Sequence, residues 1–539
     1  MESDIALNLD IGPERQKLAY LSNRYVADWT DIPISLNLQL EPDNSEAAVS
    51  AAKVLLQRKG RLLDAMTETL ATLRKHSDPQ DQVLLDQLKE ATTQLARVAL
   101  QGPQKQSLEN HRRALQDLEE KKEQLESVIS RRNEESRAQY QTVTTEAVRS
   151  AIPGDCALVE FVAYRPFNFR ATTEELYEDL RYAAYVLHRN TAPKGVDLGD
   201  AKTINAAVGR LRAALRDPSR SDVQQLAQAV AGKVFQPLQS LVADDKRMLI
   251  SPRRPAQSHP LRSLARWSGS LPRRAISIAY LPTGRDLLRM QVPRESKSAP
   301  LLVADPFFGE PVGTVIARAP GTKGRLSRST SARRSITTGE DLSTMYFAPL
   351  GGTAQEARTT KSLFPEAQVL TGQLATKAAL KQVEAPRLLH IATHGFFLLD
   401  PENSTALESP KTGVNGTRTT SAGTRLENPL LRSGLALVGA NLNKGASDDG
   451  ILTALEASNL NLWGTKLVTL SACDTGVGEV RNGEGVYGLR RAFFLAGTES
   501  LVMSLWPVSD YVTRELMTDY YSGLKRAGAK PCASPNWRC

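Results

Sequence analysis

From residue 353 to residue 524 the sequence alternates short apolar runs with segments of helical period, and this alternation limits the possible folds more than any other feature. A helical stretch at 353–364 leads to QVLTG (368–372), and another at 375–384 leads to RLLHIAT (387–393). LVTLSAC (467–473), a helical stretch at 486–496, SLVMSLWP (500–507) and a last helical stretch at 510–524 complete the series. Apolar strands separated by helices predict an α/β fold with a mostly parallel sheet, buried on both faces. In such sheets, sites form beyond the C-terminal strand ends. Two reactive side chains fall there: His394, just past RLLHIAT, and Cys473, closing LVTLSAC.

Upstream the period differs. CALVEFVAY (156–164) and RYAAYVLHRN (181–190) read as paired strands. Helical stretches at 202–217 and 221–242 follow, then the strand-like RMLIS (247–251), ISIAYLP (276–282) and LLVADPFF (301–308). Between about 45 and 140 the chain is helical: 45–76 after an Asp-Asn-Ser cap cluster, 80–100 between Pro79 and Gly102-Pro103, and 104–138. The last segment carries a partial heptad of Leu108, Leu115, Leu118, Leu125 and Ile129, interrupted by His111, Lys122 and Arg132. So short a seam predicts a bundle or hairpin packed on the rest of the chain, not a free coiled coil. The resulting division is a helical region at 1–150, an upstream α/β half at 151–310, a basic Ser/Gly-rich linker at 311–345 and a downstream half at 346–539.

Composition narrows the class. A chain of 539 residues, 41% hydrophobic and 24% charged, can bury a large core and reads as a soluble globular protein. No apolar run approaches the roughly 18 residues of a membrane span, and the acidic MESDIALNLD lacks the basic start of a signal peptide. Four cysteines (156, 473, 532 and 539) make no disulfide framework, so a reducing cytoplasm is expected. Cys532 and Cys539 have no partner spacing for zinc, and no metal or cofactor is expected. The net charge of +9 is concentrated in two windows, 253–274 and 318–334, each with six Lys/Arg and no acid, so the remainder carries −3. Neither window interleaves aromatics as a base-stacking platform does, which favours solvated loops over a nucleic-acid surface.

The strand-end pair suggests a reaction. A free thiol with pKa near 8.5 is mostly protonated at neutral pH, and the thiolate is the nucleophile. A nearby imidazole can take that proton and later return it to a leaving amine. The N–H groups of Gly395 and Cys473 are candidate oxyanion donors, and Gly476 and Gly478 permit a tight turn after the nucleophile. Alone, Cys473 would read as a core cysteine and His394 as a satisfied strand-end histidine. The joint pattern, an apolar block ending in His-Gly and another ending in Ala-Cys, favours catalysis. His390, inside the apolar run, reads as core or as an aid to orienting the site. Gly483-Glu-Gly485-Val-Tyr-Gly488 matches a dinucleotide fingerprint but begins about ten residues after its strand, where such a motif does not work. Ser471 lacks a nucleophile elbow.

HIATHGFF, DGILTALEASNLNLWGTKLVTLSACDTGVG, GEGVYGLRRAFFLAGTESLVMSLWPVSD and NPLLRSGLALVGAN resemble the CHAT domain, a caspase-like family related to caspases and separase and often found behind tetratricopeptide repeats. The likeness is strong over roughly 350–525, and CALVEFVAYRPFNF, RYAAYVL and YLPTGRDLLR extend it upstream. It implies a caspase-like sheet, with His394 as the catalytic histidine and Cys473 as the nucleophile of a cysteine peptidase. It also offers Asp474 and Glu484 as acidic contacts for a basic P1 side chain and Trp506 as a wall of the substrate groove. By the same likeness the substrate is a partner protein, a regulatory protein partner is expected, and the setting is bacterial signalling, differentiation or defence. The competing expectation is a CHAT-like scaffold that kept the fold and lost the activity. Two stretches depart from the family pattern: SPRRPAQSHPLRSLARWSGSLPRR stands where SPDG-type text is usual, and the chain ends in AKPCASPNWRC. No repeat array is recognisable before residue 45. These departures raise the expectation of a frameshifted or truncated copy, which independent resequencing of the locus tests.

Overall fold

The computed structural model describes residues 12–21, 24–75, 78–103, 106–132, 143–171, 176–217, 219–252, 277–309, 335–336, 345–398, 428–442, 450–472, 479–481, 485–505 and 508–526. Both basic windows lie outside the described residues, as does the 527–539 end.

The chain opens with helices α1 (Glu14–Leu21), α2 (Arg24–Ser35, continued by a π-helical turn), α3 (Ser45–Arg58), α4 (Arg61–Lys75), α5 (Pro79–Gln101), α6 (Leu108–Arg132) and α7 (Thr145–Ala151). Their starts follow from local chemistry. The Asn44 side chain accepts the N–H groups of Glu46 and Ala47. Asp78 caps Gln80, with Pro79 preset at the first helical position. The stretch 45–76, expected as one helical segment, is broken at Lys59-Gly60. Lys59 is extended, and Gly60 takes φ +73°. A Cβ at position 60 would lie 2.9 Å from Thr283 Cγ2, so glycine is needed there. Leu70 and Leu73 of α4, Leu88 of α5 and Ile129 of α6 share one small core. Lys122 is accommodated in the interrupted α6 seam by Glu126, 2.6 Å away.

A mixed sheet follows, from β1 (Cys156–Tyr164), β2 (Arg181–Leu187), β3 (Lys194–Asp200), β4 (Arg247–Ser251) and β5 (Ser277–Tyr280). Its order is β3-β2-β1-β4-β5, antiparallel from β3 to β1 and parallel from β1 to β5. Helices α8 (Ala201–Arg216) and α9 (Val223–Val234) cover one face of it, and α3 and α7 pack on the other.

After the short α10 (Asp286–Arg289), the second half contributes β6 (Leu301–Pro306), β7 (Ser335–Ile336), α11 (Thr353–Leu363), β8 (Gln368–Gly372), α12 (Lys377–Lys381), β9 (Leu388–Ala392), β10 (Gly395–Phe397), β11 (Ser433–Ala436), β12 (Ile451–Thr453) and α13 (Ala454–Ala457). It ends with β13 (Leu467–Ser471), the hairpin β14 (Glu479–Arg481) and β15 (Gly485–Tyr487), α14 (Leu489–Leu495), β16 (Leu501–Met503) and α15 (Asp510–Arg526). The central sheet runs β16-β13-β9-β6-β8 and is parallel throughout, as the alternating apolar runs predict. The sequence division grouped Leu301–Pro306 with the upstream half, yet β6 sits inside this sheet between β8 and β9. The chain goes outward from β6 to β8 and then returns to the other side as β9, so the topological switch lies between β6 and β9.

Strand parity explains the two covered faces. Leu389, Ile391, Val468 and Leu470 pack with α13, α14 and Leu95, Ala96 and Ala99 of α5. Leu302, Leu388 and Leu467 pack with Met517 and Tyr521 of α15. Met66 and Leu63 of α4 meet Phe494 and Leu495, so the N-terminal helices are built into the second half as well as the first. A smaller sheet, β12-β11-β10-β7, branches from the main one directly after β9. Among the described residues, no helix is long and apolar enough to cross a membrane.

Candidate active site

His394 lies where the chain leaves one sheet for the other. β9 ends at Ala392, and β10 begins at Gly395, paired with Leu435 of β11 and Ser335 of β7. Between them, Thr393 Oγ1 donates to the Ala436 carbonyl at 2.5 Å, and the Ala436 N–H donates to the His394 carbonyl at 3.0 Å. The backbone carrying the imidazole is therefore pinned twice to β11, both times through Ala436. The side chain is 2% exposed and lies between two aromatic rings, with centroids 5.3 Å away for Phe308 and 5.8 Å for Phe347.

Nε2 of His394 is 2.7 Å from the carbonyl oxygen of Ala348. A carbonyl only accepts, so Nε2 carries the proton, and in the neutral ring Nδ1 is the basic nitrogen. A ring held this way can take a proton at Nδ1 while the carbonyl dipole supports the positive charge on the far side. Ala348 is thus a contributor that sequence reasoning missed. A backbone carbonyl 46 residues upstream leaves no side-chain signature.

β13 runs parallel to β9 and beside it, with Leu467 opposite Leu388 and Ser471 opposite Ala392. His394 is the second residue past Ala392, and Cys473 is the second past Ser471. Ala472 is fully buried, and its carbonyl accepts a short hydrogen bond from Ser504 Oγ just beyond β16. Cys473, Asp474, Glu484 and Trp506 themselves lie outside the described residues. Of the expected site residues, the structure therefore describes His394 and Gly395.

His390 sits deeper in the same strand and is fully buried. Its Nδ1 is 2.9 Å from the Tyr521 hydroxyl, and its Nε2 is 3.0 Å from Glu356 Oε1. Tyr521 in turn donates to Thr469 Oγ1 at 2.8 Å. Across the rim, at the end of β6, Asp305 has φ +50°, a conformation non-glycine residues seldom adopt outside Asn and Asp. Partial burial raises its carboxyl above the usual range; Arg358 opposes that rise, and Asp510 adds to it. Nothing in the sequence flags Asp305, because its backbone angle is imposed by the fold. Among the described residues, no group of three or more His, Cys, Asp or Glu side chains is placed to hold a metal ion.

Comparison with known families adds a single finding. The family model described as the CHAT domain matches residues 224–534, more than half of the chain. No curated protein matches.

Proposed function

The chain belongs to the CHAT domain family, a caspase-like family related to peptidases, and from that premise we propose that it is a cysteine endopeptidase using Cys473 and His394. The observation that carries this reading is the register of β9 and β13. It brings two parallel strand ends level at Ala392 and Ser471, each two residues before one member of the pair. The site would lie at the C-terminal rim beside the topological switch, where parallel sheets hold their ligands.

In the proposed reaction, the Cys473 thiol passes its proton to His394 Nδ1 and the sulfur attacks the scissile carbonyl. The Ala348 carbonyl holds Nε2–H and supports the imidazolium, much as a carboxylate does in a catalytic triad. The N–H groups of Gly395 and Cys473 receive the developing oxyanion. His394 then protonates the leaving amine, and water attack on the thioester returns the thiol. Asp474 and Glu484 are proposed to meet a basic P1 side chain, and Trp506 to wall the groove. The substrate is proposed to be a partner protein cut in regulated bacterial proteolysis in the cytoplasm, with a regulatory protein controlling the cut.

Labelling with an electrophilic peptide probe tests the reading. Wild type should label at Cys473, Cys473→Ala should not label, and His394→Ala should label about 10²- to 10⁴-fold more slowly. Equal labelling of wild type and Cys473→Ala in folded protein would leave the inactive scaffold as the better description.

A further inference from the structure

We propose that Glu356, His390, Thr469 and Tyr521 form a buried positioning network that sets the height and orientation of His394 against the strand of Cys473. The inference rests on the peptidase reading of that pair. All four side chains are sealed from solvent, with exposures of 1%, 0%, 0% and 0%. A carboxylate, an imidazole and two hydroxyls in a mostly apolar sheet are costly to bury, and apolar residues of similar volume would pack there at less cost. The cost calls for a function, and the geometry supplies one.

Thr469 and His390 face each other across the β13–β9 ladder. The Tyr521 hydroxyl bridges that pair, 2.8 Å from Thr469 Oγ1 and 2.9 Å from His390 Nδ1. Each member of the bridged pair stands four residues before a member of the proposed catalytic pair, Cys473 and His394 respectively. A slip of one residue between the strands moves them by about 3.3 Å and turns the side chains to the opposite face. Tyr521 can bridge only the correct register, so it reads out the alignment that the reaction needs.

The same network governs the ring's orientation. One segment, 348–356, holds both histidines. Its Ala348 carbonyl accepts from His394 Nε2, and its Glu356 carboxylate lies 3.0 Å from His390 Nε2. Between them, the Gly352 N–H donates to Asp510 Oδ2 at 2.6 Å at the start of α15, the helix that also carries Tyr521. A Cβ on Gly352 would lie 2.7 Å from that oxygen, so the close docking requires glycine. Through α15 and the first turn of α11, the buried network fixes the loop whose carbonyl sets the His394 tautomer.

The test is the pH dependence of Cys473 alkylation by iodoacetamide in the full chain, with the ring nitrogens of His394 followed by ¹⁵N NMR. In wild type the alkylation midpoint should fall below the ordinary thiol value of about 8.5, with a His394 spectrum of the Nε2–H form. Tyr521→Phe keeps the ring and deletes one oxygen. It should raise the midpoint by about one unit, slow alkylation at pH 7 by about tenfold, and mix the His394 tautomers, while unfolding stays cooperative. Glu356→Gln should act in the same direction. If Tyr521→Phe does not fold, Thr469→Val, which removes only the bridged hydroxyl, carries the same expectation at smaller amplitude. A variant that melts earlier yet keeps the wild-type midpoint and tautomer would reduce the network to packing and overturn the proposal. A wild-type midpoint at the ordinary value, unmoved by His394→Ala, would remove the peptidase reading and the positioning role together.

Discussion

In the mixed sheet, the end of β4, beside the middle of β1, is closed by the chain's own Lys59. Its ammonium, delivered by the break between α3 and α4, donates to Glu160 Oε2 at 2.7 Å, to the Ser251 carbonyl at 2.7 Å and to the Phe161 carbonyl at 3.0 Å. The other Glu160 oxygen accepts the Gly284 N–H in a short contact. In the parallel sheet, the equivalent rim carries His394, held through Nε2 by a carbonyl so that Nδ1 is the basic nitrogen. Both places gather polar groups where a parallel strand ends, β4 in the first and β9 in the second. At the first, each ammonium hydrogen is spent on an internal acceptor, so the groups serve the fold. At the second, the Ala348 carbonyl fixes which His394 nitrogen carries the proton. A polar cluster at a strand rim is therefore not a site in itself: Lys59 is paired with Glu160 and two carbonyls of the fold, whereas the Ala348 contact fixes the tautomer of His394.

Three experiments test this contrast. The largest effect is expected from Lys59→Met, which strands the Glu160 carboxylate in the core and should cost about 3–5 kcal/mol in urea unfolding. Adding Glu160→Leu should recover most of that loss, since a matched apolar pair avoids desolvation. Probe labelling at Cys473 should survive in the folded fraction of either variant; its loss would mean that the first rim also serves the reaction.

Next come the two cysteines, one from each sheet. Cys156 opens β1 at the end opposite the Lys59 rim and is buried, and burial pushes its thiol up to about 11. Against an ordinary thiol near 8.5, that leaves it on the order of a hundredfold less thiolate or lower still. Peptide mapping after brief alkylation at pH 7.5 should find Cys473 modified and Cys156 untouched until the protein unfolds. Comparable rates would erase the distinction between the two thiols.

The smallest effect concerns Asp305. Its folded carboxyl titrates above the unfolded value, so the native state binds that proton more tightly. The group's contribution to stability therefore falls as pH rises from about 4 through the raised value, and stays low above it. Asp305→Asn suits the same left-handed backbone and removes the charge. Melting curves should show it more stable than wild type at pH 7 by under about 1 kcal/mol, the charge being partly screened by solvent. The gain should vanish below pH 4. A loss of stability at pH 7 would instead mean that the Asp305 charge is used in the native rim.

Much of the second half was legible because its signals are local. Strands β9 and β13 fall within the runs RLLHIAT and LVTLSAC, and they are neighbours in one parallel sheet. His390 read as core or as an orienting residue from its place inside the first run, but Glu356 and Tyr521 stand 34 and 131 residues away, beyond any periodic signal. The Lys59-Gly60 break carried a visible glycine and still read as continuous helix, because the apolar period persists across it. Nothing in the text RKGRLL says that the lysine turns inward.

The class of fold, the alternation of strands and helices and the place of His394 just past a strand were thus readable from the chain alone. Those follow from period and polarity, which each short segment carries alone. Only packing of distant segments sets Ser471 opposite Ala392, Ala348 against His394, and Lys59 against Glu160 and the end of β4. Each of these joins groups far apart in the chain. Their distances are set by sheet order and close packing, and no local run of residues encodes them.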